Sequence, residues 1–230
     1  MTSFSSTEIQ SEMEIEVRRH SKESPWTYTM LDARQREIAR RVLEGGPGAL
    51  LLSELSPVIT VGRRAAATDL LLPKEMLARA GVEVVPTDRG GLATWHGPGQ
   101  WVLFAVDSLE RLTGDRRGVR KAVDALLGVA LEVGKTYDPS AEIRSGAEMG
   151  VWTSRGKFAA LGVHIDHGVL LHGLSVNGFK SETSFMGLRP CGLDLPVDYL
   201  VKDRPSEFDE LGQKILAQAQ SRFTKTFTNK

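Results

Sequence analysis

One cysteine, Cys191, stands in 230 residues, so the chain cannot close an internal disulfide on itself or build a cysteine-rich metal site. Lys and Arg number 29 and Asp and Glu number 29, so there is no net charge. A surface made for nucleic acid would unbalance that count, and nucleic acid is not an expected partner. No run of eighteen apolar residues occurs, so no membrane-spanning helix is expected. The first twenty residues have no basic start followed by an apolar block, and the cytoplasm is the expected compartment. There is no internal repeat, and no linker long enough to divide the chain.

What is present is an ordinary globular mix, 41% hydrophobic and 25% charged. Segments of both periods alternate. "EIEVRR" reads as a short strand, and "TYTMLDARQREIARRVLEGG" as a helix with Met30, Ile38 and Val42 inward, stopped at Gly45-Gly46. "ALLLSEL", "PVITVG", "VEVVPT" and "WVLFAVD" read as strands, and "PKEMLARAG" as a short helix between Pro73 and Gly81. "RGVRKAVDALLGVALEVG" reads as a helix with Val119, Val123, Leu126, Leu127 and Ala130 on one side. "GVWTSRGKFAALGVHIDHGVLLHGLSVNG" reads as three antiparallel strands with turns at Ser154–Gly156 and Asp166–Gly168. "PSEFDELGQKILAQAQSRF" reads as a closing helix capped by Ser206 with Asp209 in the capping box. The class is α+β: a mixed β-sheet core with flanking helices. Residues 1–22 read as a partly flexible N-terminal extension, and residues 23–230 as a single domain.

Three residues sit oddly in this pattern. In "KFAALGVHI" strand alternation puts Lys157 on one face with Ala159, Leu161, Val163 and Ile165. Such a lysine can snorkel to water, or sit in a dry cleft where its lowered pKa lets it move protons. His172 shares a face with Leu170, Leu174 and Val176 by the same count; it is either a satisfied core histidine or a site residue, and Gly173 beside it leaves room for a ligand. Cys191 in "MGLRPCGLD" lies on a turn, as an inert thiol or as a nucleophile.

Other clusters point less firmly. His164, Asp166 and His167 straddle a turn and lack a well-placed third partner for a metal. Arg116, Arg117, Arg120 and Lys121 form a basic cluster at a helix start, either a solvated surface or a dock for an acidic protein. "RGGLATWHGPGQW", residues 89–101, holds four glycines, and suits close approach of backbone to a ligand. It is neither a Walker loop nor a dinucleotide fingerprint.

Together these stretches resemble one family, the octanoyltransferases of lipoate biosynthesis. The family's "RGG…T-aromatic-HGPGQ" block corresponds to Arg89, Gly90 and Gly91 with Thr94, Trp95, His96, Gly97, Pro98, Gly99 and Gln100. Its "GK[IL]A[AS][LI]G" block corresponds to Gly156, Lys157, Phe158, Ala159, Ala160, Leu161 and Gly162. Its "HGx[AS][LV]N" block corresponds to His172, Gly173, Leu174, Ser175, Val176 and Asn177, and its "PCG" to Pro190, Cys191 and Gly192. "SPVITVGRRA" is similar to the segment upstream, and the blocks follow in family order between about residues 50 and 200. Phe158 replaces the usual isoleucine, Trp95 a common tyrosine, and Arg189 the usual asparagine, which adds a cation two residues from the thiol.

The resemblance implies a fold like the catalytic domain of biotin and lipoate protein ligases. It implies transfer of an octanoyl group from octanoyl-acyl carrier protein to a lysine of lipoyl domains or of the glycine cleavage H protein. No metal, ATP or other cofactor and no membrane is implied, and a monomer is expected. Cys191 would be the nucleophile that holds the acyl group, and Lys157 the general acid and base. Arg89, Gly90, Gly91, Thr94, Trp95, His96, Gly97, Gly99, Gln100, Ala160, Leu161, Gly162, His172, Gly173, Leu174, Ser175 and Asn177 would shape the acyl site, with His96 and nearby N–H groups placing the carbonyl. The glycines would let the acyl chain lie against backbone. An ATP-dependent lipoate ligase, or a non-catalytic binder of lipoyl domains, are the rival readings.

Overall fold

The computed structural model describes residues 13–188, 196–202 and 205–224. Ten strands and five α-helices among them form two sheets. The larger sheet has seven strands in the order β1 (Glu14–Arg19), β2 (Ala49–Glu54), β6 (Gln100–Val106), β10 (Val169–Asn177), β9 (Gly156–Asp166), β8 (Gly150–Thr153), β7 (Glu142–Arg144). Only β1 and β2 are parallel in it. β1 lies within the segment read as an extension, and is an edge strand of this sheet. The smaller sheet has the order β4 (Glu83–Pro86), β3 (Val58–Val61), β5 (Ala93–His96).

Helices cover both faces of the large sheet. α1 (Tyr28–Leu43) lays Tyr28, Leu31, Ile38 and Val42 against Leu51, Val102, Phe104 and Leu171 on one face. Met30, expected inward, is 46% exposed, because the inward stripe runs through Tyr28 and Leu31 instead. The Thr27 side chain accepts from Met30 N and so caps the helix. On the opposite face α4 (Val119–Lys135) and α5 (Pro205–Phe223) cover Leu50, Leu103, Phe158, Leu170, Leu174 and Val176. Val119 is 38% exposed, since it begins α4 before the helix reaches the sheet. Each aliphatic side chain buried here is worth about 1.5–3 kcal/mol. Ser206 does not cap α5: the helix already starts at Pro205, and the Asp209 carboxylate pairs with Arg19 rather than closing a capping box. The sequence reading also missed α3 (Leu109–Thr113), β5 and β7, all short. A further short helix, α2 (Lys74–Arg79), closes a small core of Ile59, Leu77, Val82, Ala93, Trp95 and Leu188 under the smaller sheet.

Two breaks in strand alternation shape the site. Between β8 and β9, Trp152 faces Lys157 and Val151 faces Ala159, so β9 carries one extra residue, Phe158. Phe158 and its neighbour Ala159 both enter the core under α4. Lys157 is thereby out of phase with Ala159, Leu161, Val163 and Ile165, contrary to the simple alternation. The second break is His172, whose φ is +59°. Alternation puts it with Leu170 and Leu174, but its ring reaches Tyr28 and Gln35 of α1 on the opposite face.

Candidate active site

The strand rows build a trough on the α1 face of the large sheet. One row reads Val102, Ser175, Ala160 across β6, β10 and β9; the next reads Phe104, Gly173, Gly162. Small residues on β9 and β10 leave a channel there, and the smaller sheet roofs it. Gly90 N donates to Val163 O at 2.9 Å, which ties the glycine stretch to β9. The result is a cavity of about 540 Å³, within the ~300–1,000 Å³ common for small-molecule sites. It is lined by Arg64, Arg89, Gly90, Gly91, Thr94 and His96 from the roof and by Lys157, Ala160, Leu161, Gly162, Gly173, Leu174 and Ser175 from the strands. Tyr28, Phe104 and His172 line it as well.

Lys157 brings the cation. Its stem lies against Gly150, where a Cβ would come within 2.3 Å of Lys157 Cε. The ammonium donates to Met149 O at 2.6 Å and sits 5.6 Å from the Trp152 ring centroid. That environment, half-buried, differs from a side chain simply extended into water.

Behind the wall runs a continuous polar chain. Buried Arg89 donates to Thr60 Oγ1 and Thr60 O, the latter at 2.6 Å. The Thr60 hydroxyl, with two bonds from Arg89, donates its proton to His96 Nε2 at 3.3 Å. His96 Nδ1–H donates to Gln100 Oε1 at 2.6 Å, Gln100 Nε2 to Asn177 Oδ1 at 2.8 Å, and Asn177 Nδ2 to Lys157 O and Asp198 O at 3.4 and 3.2 Å. Every partner in this chain agrees only if His96 is neutral and carries its proton on Nδ1. Burial and then the Arg89 charge push its pKa down to about 3, in keeping with that. Both ring nitrogens are used, so His96 offers the cavity its ring and not a free nitrogen.

His172 is held in the same way. Its Nδ1 accepts from Tyr28 O–H at 2.9 Å and Gln35 Nε2 at 3.2 Å, and its Nε2–H donates to Asp88 Oδ1 at 2.6 Å. Its backbone N–H donates to Gln35 Oε1 at 2.8 Å, which braces the left-handed backbone. Burial lowers the His172 pKa, although the Asp88 carboxylate works against it. Burial pushes Asp88 up, but hydrogen bonds from His172 and Arg36 outweigh it and bring Asp88 to about 2. Burial holds Tyr28 well above the usual tyrosine range.

Of the residues expected at the site, five lie beside the cavity wall instead of on it. Trp95 fills the small core against Phe185. Gly97 gives room for the Trp95 ring, and Gly99, with φ +86°, turns the chain against Phe179 O. These two glycines therefore serve the turn; of the four glycines in this stretch, Gly90 and Gly91 line the cavity. Gln100 and Asn177 are links of the polar chain. Cys191 and Arg189 lie outside the described residues. Tyr28, Gln35, Thr60 and Asp88 were missed. The readable signal was a polar Gln35 on the apolar stripe of α1. Among the described residues no three His, Cys, Asp or Glu side chains are grouped to hold a metal; Asp166 and His167 pair with each other, and His164 lies 3.8 Å from Asp88. Arg116, Arg120 and Lys121 each face a nearby carboxylate, Glu110, Asp124 and Asp115. No helix among the described residues is long and apolar enough to cross a membrane.

Residues 28–220 match the lipoyl protein ligase A/B catalytic domain family. The chain belongs to that family. Its curated relatives include octanoyltransferases. That of Magnetococcus marinus is 38% identical over 168 residues, 73% of this chain and 74% of its own length. That of Desulfotalea psychrophila is 31% identical over 198 residues, 83% and 87%. The mitochondrial octanoyltransferase LIP2 of Arabidopsis thaliana is 32% identical over 163 residues, 71% and 68%. These relationships make the chain an octanoyltransferase-family acyltransferase. The fold is shared more widely. Lipoate-protein ligase A bound with ATP superposes with a TM-score of 0.68 at 13% identity, over 95% of this chain and 97% of that one. A bi-partite lipoate protein ligase of Thermoplasma acidophilum gives 0.58 at 12% identity, over 95% of each.

Proposed function

We propose that this acyltransferase moves an octanoyl group from octanoyl-acyl carrier protein to a lysine of a lipoyl domain or of glycine cleavage H protein, through a thioester on Cys191. The observation that carries the reading is the Lys157 ammonium set at one end of an apolar trough wide enough for an acyl chain. In the first step the Cys191 thiolate attacks the acyl carbonyl; the carbon–sulfur bond to the carrier breaks, and the carrier thiol leaves with a proton. In the second, the acceptor amine attacks, a carbon–nitrogen bond forms, and the bond to Cys191 Sγ breaks. Lys157, as the amine, accepts the proton the thiol or the acceptor lysine loses and, as the ammonium, returns it to the departing sulfur. One thioester becomes another and then an amide, so no ATP is needed. Arg89, Gly90, Gly91, Thr94, Ala160, Leu161, Gly162, Gly173, Leu174 and Ser175 would line the acyl chain, and His96 and His172 would wall it as neutral rings.

Intact mass after mixing the protein with octanoyl-acyl carrier protein tests this. The expected result is a gain of one octanoyl group, absent from Cys191→Ser and lost on adding an apo lipoyl domain, which gains it. Strict dependence on ATP with free octanoate would overturn the reading in favour of a ligase. Tight binding of lipoyl domains without turnover from either donor would overturn it in favour of a binder.

A further inference from the structure

The 540 Å³ cavity is not the only one near Tyr28. A second cleft of about 480 Å³ adjoins this residue, lined among others by Thr29, Asp32, Arg36, Arg63, Thr87 and Asp88. Tyr28 lines both. The first cavity is apolar along its trough; the second is walled by charged groups, with Arg36 bridged to Asp32 and Asp88. Tyr28 is thus common to an apolar space and to one that carries charged groups.

That ring is fixed from several sides. It stands nearly parallel to His96 and His172, at interplanar angles of 9° and 6° and centroid distances of 6.1 and 6.4 Å. Its hydroxyl is bound to His172 Nδ1. Phe104 meets His172 edge-on, with centroids 5.6 Å apart. Tyr28, Phe104 and His172 are 2%, 4% and 1% exposed, so this end of the trough is closed, while the Lys157 end is half-open.

We infer that Tyr28, backed by Phe104 and His172, is the end stop that sets the length of acyl chain the enzyme accepts. This rests on the acyl-transfer reading above and adds the residue that determines its chain-length specificity. Chains that end at the ring bury every methylene in the trough. Longer ones must displace the ring or bend.

The test compares transfer from acyl carrier protein loaded with C6 to C12 chains. It also measures, by calorimetry, the binding of the free acids of the same lengths. Tyr28→Val opens the closed end; Phe104→Leu lowers the wall beside it; Tyr28→Phe keeps the ring and loses only the hydroxyl. The expected result is a rise in the decanoyl-to-octanoyl ratio for Tyr28→Val and Phe104→Leu, by roughly fifteenfold for two more buried methylenes. Tyr28→Phe should keep the wild-type ratio. Ala160→Val, which fills the trough floor, should shift preference to shorter chains. An unchanged ratio in folded Phe104→Leu and Ala160→Val overturns the end stop, even if Tyr28→Val fails to fold. If the wild type transfers no acyl group at all, the acyl-transfer reading is what fails, and the lengths of free acid bound by the same variants still decide the end stop.

Discussion

His172 Nε2 lies 2.6 Å from Asp88 Oδ1, though 84 residues separate them in the chain. The bond joins β10 of the large sheet to the loop between β4 and the glycine stretch. It settles which nitrogen of His172 is protonated, and the aspartate stays ionised to receive it. Asp88→Ala leaves Nε2–H of a buried imidazole without its acceptor and Arg36 without one of its two carboxylates. The expected loss is about 1–3 kcal/mol of stability, typical of a buried donor left unpaired. Urea unfolding of the variant checks it, and a midpoint equal to wild type would show that the two sheets are not held together here.

Both cavity histidines are neutral in the folded chain, and this makes stability depend on pH. In the unfolded chain a histidine titrates near 6.5, while folded His96 is held near 3. Between those values the unfolded state binds more protons, so acid favours unfolding. The stabilisation is fully present above pH 6.5 and fades as pH falls towards 3, with His172 adding to it in the same direction. For His96 the whole span corresponds to on the order of 5 kcal/mol. Urea midpoints should therefore drop steadily from pH 7 to pH 4, and His96→Gln should show a shallower drop. A flat wild-type profile over that range would mean that the histidines take up protons while folded.

How much of this was legible follows from where the regular patterns hold. The helices and long strands were readable because their apolar periods persist over several turns or pairs. Ile38 and Val42 of α1 and Leu126, Leu127 and Ala130 of α4 are buried as their spacing predicts. The site was readable as motifs but not as geometry. Alternation misplaced Lys157 and His172, and both misplacements have a local cause: the extra residue Phe158 in β9 and the left-handed backbone of His172. Neither is visible without the partner strand or α1 in place. Tyr28, Gln35 and Asp88 come from segments distant in sequence; the packing of α1 on the sheet brings the first two to His172, and the loop after β4 brings Asp88. Sites are where local rules are most often broken, and both breaks, at Phe158 and His172, fall within the motif blocks.

The floor and the roof of the trough should tolerate change unevenly. A Cβ on Gly173 would come within 2.2 Å of the carbonyl oxygen of Leu103, a backbone atom of the adjacent strand. β6 cannot withdraw without breaking its ladder with β10. On Gly90 the nearest atom would be Val163 O at 3.3 Å, a contact that a few tenths of an ångström relieves. Gly173→Ala should lose about 1–3 kcal/mol or fail to fold, and Gly90→Ala should lose less than about 1 kcal/mol. Thermal melts of the two variants side by side distinguish them, and equal melting temperatures would show that the β6–β10 contact is looser than drawn.

The remaining prediction separates chemistry from packing at Lys157. Lys157→Met keeps an unbranched stem to lie on Gly150 and near Trp152, and removes the ammonium that donates to Met149 O. The Met149 carbonyl is at the cavity edge, where Met149 is 42% exposed, so water can replace the lost donor. Stability should therefore change by no more than about 1 kcal/mol. Transfer needs a group that takes a proton from the thiol or the amine, and that kind of catalysis is typically worth about 10²–10⁴ in rate. The expected outcome is a variant that melts within a few degrees of wild type and transfers at least about a hundredfold more slowly at saturating donor. Lys157→Arg should be nearly as slow, because a guanidinium does not give up its proton at neutral pH. If either variant kept more than about a tenth of the wild-type rate, the ammonium would be serving to hold Met149 and Trp152 in place, and the proton would have to move through another group.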